Sequence, residues 1–239
     1  MYGSDPVRRF GLVALATDLT IEADAARLMP AGTQLHVARI AFDNPTTPES
    51  LRQTGPRLAG AADLIVPGVP LEALIFGCTS AAAVLGPEVE AAIGGRAPVV
   101  TPLSGARRAY AGLGITRIAL MTPYLPETAR LVADWFGAEG LEVVSELSLG
   151  HEDDREMALL PREEVISAAL RADHPEAEAL FLSCTALPAL PVIGEIEERI
   201  GKPVISSNQA AFWAALDIAG IPATGPGSLY RLRENWRSW

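Results

Sequence analysis

The sequence is poor in cysteine, in histidine and in positive charge. Its 239 residues include two cysteines and three histidines, and 19 basic against 29 acidic residues give a net charge of −10. No cluster of Lys and Arg forms the electropositive patch that nucleic acid or an anionic membrane requires. Composition therefore excludes polyanionic partners, and we expect the protein to bind neither nucleic acid nor a membrane.

Long apolar runs are also missing. No run approaches the roughly 20 apolar residues that span a bilayer. The opening residues, MYGSDPVRRFGLVAL, lack the longer apolar core and the small-residue cleavage site of a signal peptide. We therefore expect a cytoplasmic location, where two cysteines do not form a structural disulfide. No metal site is expected either, because His36, His151 and His174 lie in polar segments away from both cysteines.

Strand-length apolar runs alternate with helical patterns along the whole chain. This alternation predicts an α/β fold, with parallel sheets flanked by helices. The predicted strands are apolar almost throughout, which is typical of strands covered on both faces. The eight predicted strands are RFGLVALA, TQLHVARIAF, EALIFGC, APVVTP, RIALMTP, LEVVSELSL, ALFLSC and KPVISS.

The order of these segments repeats. RRFGLVALATDLT is echoed by TRIALMTPYLPET, LIFGCTSA by LFLSCTAL, and APVVTPLSGARRAYAGLGI by GKPVISSNQAAFWAALDIAGI, at a nearly constant interval of about 105 to 108 residues. The repeat predicts two pseudo-symmetric α/β lobes with an active site in the cleft between them. We expect residues 1–104 and 208–239 to form the first lobe and residues 105–207 the second.

The two cysteines occupy the same place in the two halves of the repeat. Each ends an apolar strand and is followed by Thr, at the edge of the sheet where open α/β folds bind ligands. A thiol at a helix N-terminus has a lowered pKa, so Cys78 and Cys184 are both expected to act as bases. On opposite sides of a bound molecule, they could remove a proton from one face of a carbon and return it to the other. A core role is the alternative for either cysteine alone.

Several motifs resemble those of a known family. They are GLVALATDLTIEAD, FGCTSA, ALMTPYLPET, LSCTALPAL and GKPVISSNQAAFWAAL. The sequence resembles the aspartate/glutamate racemase superfamily, in particular its branch of maleate cis-trans isomerases and arylmalonate decarboxylases. Within this branch it is most similar to the racemase-like proteins encoded with ectoine-degradation enzymes. The resemblance implies two α/β lobes, a cofactor-free site between them and a homo-oligomer.

The resemblance also implies roles for individual residues. Cys78 and Cys184 would be the catalytic pair, acting as two acid/base groups or with Cys78 as nucleophile. Arylmalonate decarboxylases keep only the second cysteine, so the presence of both disfavours decarboxylation. Four further residues would hold substrate carboxylate oxygens through hydroxyl and backbone N–H groups: Thr79, Ser80, Tyr124 and Thr185. A lid or core role for Tyr124 remains open.

Two acidic residues depart from the maleate isomerase pattern. Asp18, and in a rough alignment Asp154, stand where that enzyme has asparagine. An ionised aspartate only accepts hydrogen bonds, so it would repel a carboxylate and attract an ammonium or amide N–H. Asp18 could equally cap the helix that follows it.

These observations predict a cofactor-independent isomerase of the racemase or epimerase type. Its substrate would be a small carboxylate that bears nitrogen, with a place in ectoine degradation as one option. The alternatives are a maleate cis-trans isomerase, an arylmalonate-type decarboxylase and a carboxylate-binding protein without catalysis.

Overall fold

Two parallel four-stranded sheets, built in the same strand order, form the framework of the protein. The computed structural model describes residues 7–231. One sheet has the order β2-β1-β3-β4 and the other β6-β5-β7-β8. The strands are β1 (Arg8–Leu15), β2 (Thr33–Ile40), β3 (Ala73–Gly77), β4 (Val99–Val100), β5 (Arg117–Thr122), β6 (Glu142–Ser148), β7 (Ala179–Leu182) and β8 (Val204–Ser206).

Helices follow most strands and cover both sheets. They are α1 (Ile21–Leu28), α2 (Pro48–Arg52), α3 (Leu58–Asp63), α4 (Thr79–Leu85), α5 (Glu88–Ile93), α6 (Pro102–Leu113), α7 (Pro126–Ala138), α8 (Asp154–Ala158), α9 (Arg162–Ala172), α10 (Ile193–Ile200) and α11 (Ser207–Ile218). None of these helices is long and apolar enough to cross a membrane.

The predicted α/β class and all eight predicted strands are confirmed. The central strands β1, β3, β5 and β7 are almost fully buried, as their apolar sequences predict. The edge strands β2 and β6 are partly exposed, so the prediction that all strands are covered on both faces is wrong for these two.

One segment with a helical sequence pattern does not form a single helix. The sequence pattern over residues 48–66 favours a continuous helix, but the structure divides this segment into α2, a 3₁₀ turn at Gly55–Arg57 and α3. Pro56 lies inside that turn. Because proline has no N–H for the helical ladder, α2 ends before it.

After the second sheet the chain returns to the first. Helix α11 packs against α6, its counterpart in the repeat, and also contacts β3 and α1. The contact between α6 and α11 is very close, because a Cβ added to Gly105 would lie 2.3 Å from the Ala210 carbonyl oxygen. The lobe boundaries at 104 and 208 stay a prediction, and residues 1–6 and 232–239 of the predicted first lobe lie outside the described residues.

Candidate active site

A narrow cleft lies at the carboxyl ends of the central strands, where the two sheets face each other. All eight predicted site residues line this cleft, and three further residues, Leu15, Thr46 and Ala186, complete it. The free space inside is about 10 Å³, the room that a single water molecule needs. The eight residues are Asp18, Cys78, Thr79, Ser80, Tyr124, Asp154, Cys184 and Thr185.

Cys78 is the N-cap of α4. Its backbone is extended, with φ of −151°, and its sulfur accepts a hydrogen bond from the Ala81 N–H at 3.4 Å. The Ser80 hydroxyl lies 3.6 Å from the same sulfur. As the sequence predicts, this thiol sits at the start of a helix, where backbone N–H groups lack acceptors within the helix.

Cys184 lies in a different local structure. Its φ is 100°, in a region that residues other than glycine rarely adopt, and residues 185–187 form bends rather than a helix. Its N–H donates to Ser207 Oγ at 3.0 Å, and its sulfur lies 3.9 Å from Met157 Sδ. The prediction that a helix begins at both cysteines is therefore wrong for Cys184.

The prediction of lowered cysteine pKa values is also wrong. Burial raises the pKa of Cys78 to about 12, and the Ala81 N–H and the Ser80 hydroxyl offset only part of this rise. Burial and the nearby Asp18 raise the pKa of Cys184 as well. Desolvation of the charged thiolate in the closed cleft raises the thiol pKa by more than a helix N-terminus lowers it. Both cysteines are accordingly neutral thiols at pH 7.

The threonine hydroxyl groups of the cleft form hydrogen bonds to other residues of the protein. Thr79 Oγ1 donates to Ser207 Oγ at 2.7 Å, and Thr185 Oγ1 donates to the Gly77 carbonyl at 3.3 Å. The Tyr124 side chain is buried in the same cleft as the two thiols, and its pKa is raised well above the usual range, chiefly by burial. Its hydrogen bond to Cys184 lowers the pKa of that thiol. The predicted role of these residues in holding substrate stays a prediction.

Asp18 lies both at the start of α1 and in the cleft, and its predicted role in binding substrate stays a prediction. Its Oδ1 accepts hydrogen bonds from the N–H groups of Thr20 and Ile21, at 2.8 and 2.9 Å, and so caps the start of α1. The carboxyl also lines the cleft and is only 2% exposed. Burial raises its pKa, and the Asp154 carboxylate adds to this rise.

Asp154 joins the two lobes at the edge of the cleft. Its Oδ2 accepts a hydrogen bond from the Thr17 hydroxyl, and its Oδ1 accepts one from Asn44 Nδ2 at 2.9 Å. Thr17 and Asn44 both belong to loops that follow strands of the first sheet. The carboxylate is thus held by donors from the opposite lobe, which sequence reasoning did not anticipate.

Sequence reasoning also missed the residues at the start of α11. Ser207 contacts both cysteine loops, and Asn208 Nδ2 donates to Asp24 Oδ2 at 2.8 Å and to the Thr185 carbonyl at 2.9 Å. Both residues lie in the GKPVISSNQAAFWAAL motif. Their position in this motif was the only available signal, because their contacts cross between segments distant in sequence.

Comparison with known proteins assigns the family. A family model described as arylmalonate decarboxylase matches residues 83–230, more than half of the chain. The chain belongs to this family. A maleate isomerase of Nocardia farcinica is 29% identical over 245 residues, covering 96% of this chain and 97% of the relative. An arylmalonate decarboxylase of Bordetella bronchiseptica is 32% identical over 125 residues, covering 52% of each chain.

Solved structures agree with this assignment. The maleate cis-trans isomerase of Nocardia farcinica, solved as a cysteine-to-serine variant with a covalently bound succinylcysteine intermediate, has a TM-score of 0.86 and 28% identity. The match covers 95% of this chain and 99% of that one. The predicted branch and enzyme class, an isomerase-like member of this family, are confirmed. The link to ectoine degradation stays a prediction.

Proposed function

We propose that this chain is a cis-trans isomerase of a short unsaturated dicarboxylate such as maleate, with Cys78 as nucleophile and Cys184 as proton donor. The observation that carries the proposal is that both thiols line one closed cleft between the lobes. The succinylcysteine of the Nocardia farcinica relative supports it, because a cysteine sulfur that adds to the double bond of maleate leaves a succinyl group.

The reaction starts from the minor fraction of the protein in which Cys78 has lost its proton to solvent and is a thiolate, while Cys184 keeps its thiol proton. The Cys78 sulfur forms a bond to one alkene carbon, and the electron pair of the double bond moves to the neighbouring carbon, where the adjacent carboxylate delocalises it. That carbon takes the proton of Cys184. The former double bond is now a single bond and can rotate.

The second half of the reaction reverses these steps. The Cys184 thiolate removes the proton, the electron pair re-forms the double bond in the trans arrangement, and the carbon–sulfur bond breaks. Both cysteines then return to their starting states. The Tyr124 hydroxyl, which is hydrogen-bonded to Cys184, stabilises the thiolate during the intermediate.

The structure weakens the objection that a negative charge on Asp18 would exclude maleate. An ionised Asp18 would repel a second carboxylate, but burial raises the pKa of this group. A neutral carboxyl has an O–H and can donate to a substrate oxygen, as asparagine would. Asp18 is therefore compatible with a dicarboxylate when it is protonated.

A second candidate follows from the two carboxyl groups of the cleft. Asp18 and Asp154 both line it, and among the described residues the lining contains no basic side chain. Two acidic groups suit an ammonium or amide nitrogen. This arrangement favours racemisation or epimerisation of a nitrogen-bearing carboxylate, the function expected from the sequence.

Side-by-side assays separate the candidates. Maleate, aspartate and N-acetylated diaminobutyrate are each incubated with the protein, and the products are followed by proton NMR. The proposal expects fumarate from maleate, with turnover lost in Cys78→Ser and Cys184→Ser variants that melt as the unmodified protein does. Turnover restricted to the nitrogen-bearing compounds would favour the second candidate. Thermal stabilisation by maleate without turnover would indicate a binding protein.

A further inference from the structure

The hydroxyl of Ser207 is hydrogen-bonded to both cysteine loops. Ser207 Oγ accepts a hydrogen bond from Thr79 Oγ1 at 2.7 Å and another from the Cys184 N–H at 3.0 Å. Thr79 directly follows Cys78. A single fully buried oxygen therefore connects a residue next to one thiol with the backbone of the other.

A serine hydroxyl has two lone pairs, and both are used here. The two donors come from the first sheet's α4 and from the loop after β7 of the second sheet. Ser207 itself is the first residue of α11, which leads the chain back to the first lobe. Ser207 thus lies where the chain passes from the second lobe to the first, in a fixed position relative to both cysteine loops.

The backbone of Cys184 needs such external support. A residue other than glycine at φ of 100° is strained, and strain of this kind persists only where the surrounding contacts hold the backbone in place. Ser207 accepts the N–H of this residue, and the neighbouring Asn208 donates to the carbonyl of Thr185. The start of α11 thus holds the Cys184 loop at two successive residues.

We propose that Ser207 is a positioning residue, whose hydroxyl sets the two cysteine loops relative to each other so that both thiols meet one substrate. The consequence for catalysis rests on the proposed isomerase function. The consequence for thiol accessibility does not, because it concerns the free protein.

The test uses Ser207→Ala, with Ser207→Thr as the conservative variant. The matched control is Ser206→Ala, which removes the neighbouring buried hydroxyl that caps α11 by accepting the Gln209 N–H at 3.3 Å. Each variant is measured by thermal melting, by mass spectrometry of Cys78 and Cys184 alkylation with iodoacetamide, and by kcat and KM on maleate.

Loss of the Ser207 hydroxyl should loosen both loops. We expect alkylation of both cysteines to speed up by at least about tenfold, because local opening exposes buried groups. We expect kcat to fall by about 100-fold with little change in KM, the effect of misplacing a reacting group. Ser207→Thr should restore most of both properties. Ser206→Ala should lower the melting temperature and leave alkylation and kcat near their unmodified values.

A folded Ser207→Ala variant with unchanged alkylation and unchanged kcat would overturn the proposal, as would equal effects from Ser206→Ala. If Ser207→Ala does not fold, Thr79→Val removes the same hydrogen bond from the other side with little change in shape. It should then speed up alkylation of Cys184, in the opposite lobe. An effect confined to Cys78 would overturn the proposal.

The two readouts keep the proposals separate. If the variants change alkylation as expected but the unmodified protein does not turn over maleate, the proposed function fails and the positioning role stands. If the unmodified protein isomerises maleate and Ser207→Ala does so equally well, the positioning role fails and the function stands.

Discussion

Cys78 and Cys184 follow the corresponding strands β3 and β7, yet their backbones differ: φ is −151° at Cys78 and 100° at Cys184. Each sulfur has one backbone and one side-chain partner: the Ala81 N–H and the Ser80 hydroxyl at Cys78, and the Ala186 N–H and the Tyr124 hydroxyl at Cys184. The pseudo-symmetry of the fold does not extend to the immediate surroundings of the thiols. The different backbone conformations of the two cysteines fit the two distinct roles proposed for them, nucleophile and proton donor.

Activity should rise with pH across the neutral range. Because burial raises the pKa of Cys78 to about 12, its thiolate is a minor species near neutrality, and its fraction grows about tenfold per pH unit. In Asp18→Asn, where ionisation of residue 18 does not affect KM, we expect log kcat/KM for maleate to rise with a slope of one from about pH 7 to about pH 9. Alkylation of Cys78 should rise in parallel. A plateau in both profiles below about pH 8 would show that the thiol ionises readily in the closed cleft.

Binding of a dicarboxylate should depend on the protonation of Asp18. Its raised pKa allows a neutral form that can donate to substrate, whereas its ionised form repels a carboxylate. The KM for maleate should therefore rise with pH in the unmodified protein, by at least about tenfold, and stay nearly constant in Asp18→Asn. The exposed Asp43 lies in another loop, and Asp43→Asn is the control for the change in net charge. Identical KM profiles for Asp18→Asn and the unmodified protein would contradict this expectation.

Stability should respond to the buried Asp24. Its pKa rises from 3.8 to about 6, chiefly through burial, so the folded state binds this proton more tightly than the unfolded state. Stability from this group is therefore present at low pH and is lost as pH rises through about 4 to about 6, at a cost of about 3 kcal/mol. In an Asp24→Asn variant, the amide oxygen of the new side chain could still accept the hydrogen bond from Asn208 in place of the carboxylate.

Urea denaturation of Asp24→Asn measures this effect. The free energy of unfolding of the variant, relative to the unmodified protein, should increase by about 3 kcal/mol between about pH 4 and about pH 7. Asp63→Asn, at an exposed position at the end of α3, should give no such trend. A difference that is constant with pH would mean that Asp24 stays charged in the folded protein.

The contact between α6 and α11 should tolerate no side chain at Gly105. A Cβ there would lie 2.3 Å from the Ala210 carbonyl oxygen and 3.1 Å from the Ala211 nitrogen, and backbone atoms cannot move aside as a flexible side chain could. We expect Gly105→Ala to lower the free energy of unfolding by about 3 kcal/mol. Gly60→Ala, in α3 with open space around the added carbon, should be neutral or stabilising by up to about 1 kcal/mol. Equal stability of the two variants would be the contrary result.

The sequence was sufficient to predict which residues meet at the cleft. Strand ends of parallel sheets converge at one edge, so motifs that follow strands, such as those around Cys78 and Cys184, are brought together by the topology alone. The capping role of Asp18 was also predictable, because it depends on N–H groups two and three residues away.

The electrostatics of the cleft could not be predicted in this way. The raised pKa of each cysteine depends on how completely the opposite lobe closes over it, and no local pattern reports that closure. The left-handed backbone of Cys184 was equally hidden, since glycine, the usual signal for such a conformation, is absent from that position. Ser207 and Asn208 were not predicted, and neither were the contacts of Asp154, because the partners of all three residues lie in distant segments.

At Cys184, the residue that the proposed reaction needs is not the residue that the backbone conformation favours. At φ of 100° a glycine would be free of strain, whereas cysteine, the proposed proton donor, is not. The more relaxed sequence for this loop is thus the one that removes the thiol, and selection for stability alone would drive the position towards an inactive chain. Stabilised variants of this protein should therefore be sought elsewhere in the fold, with Cys184 held fixed.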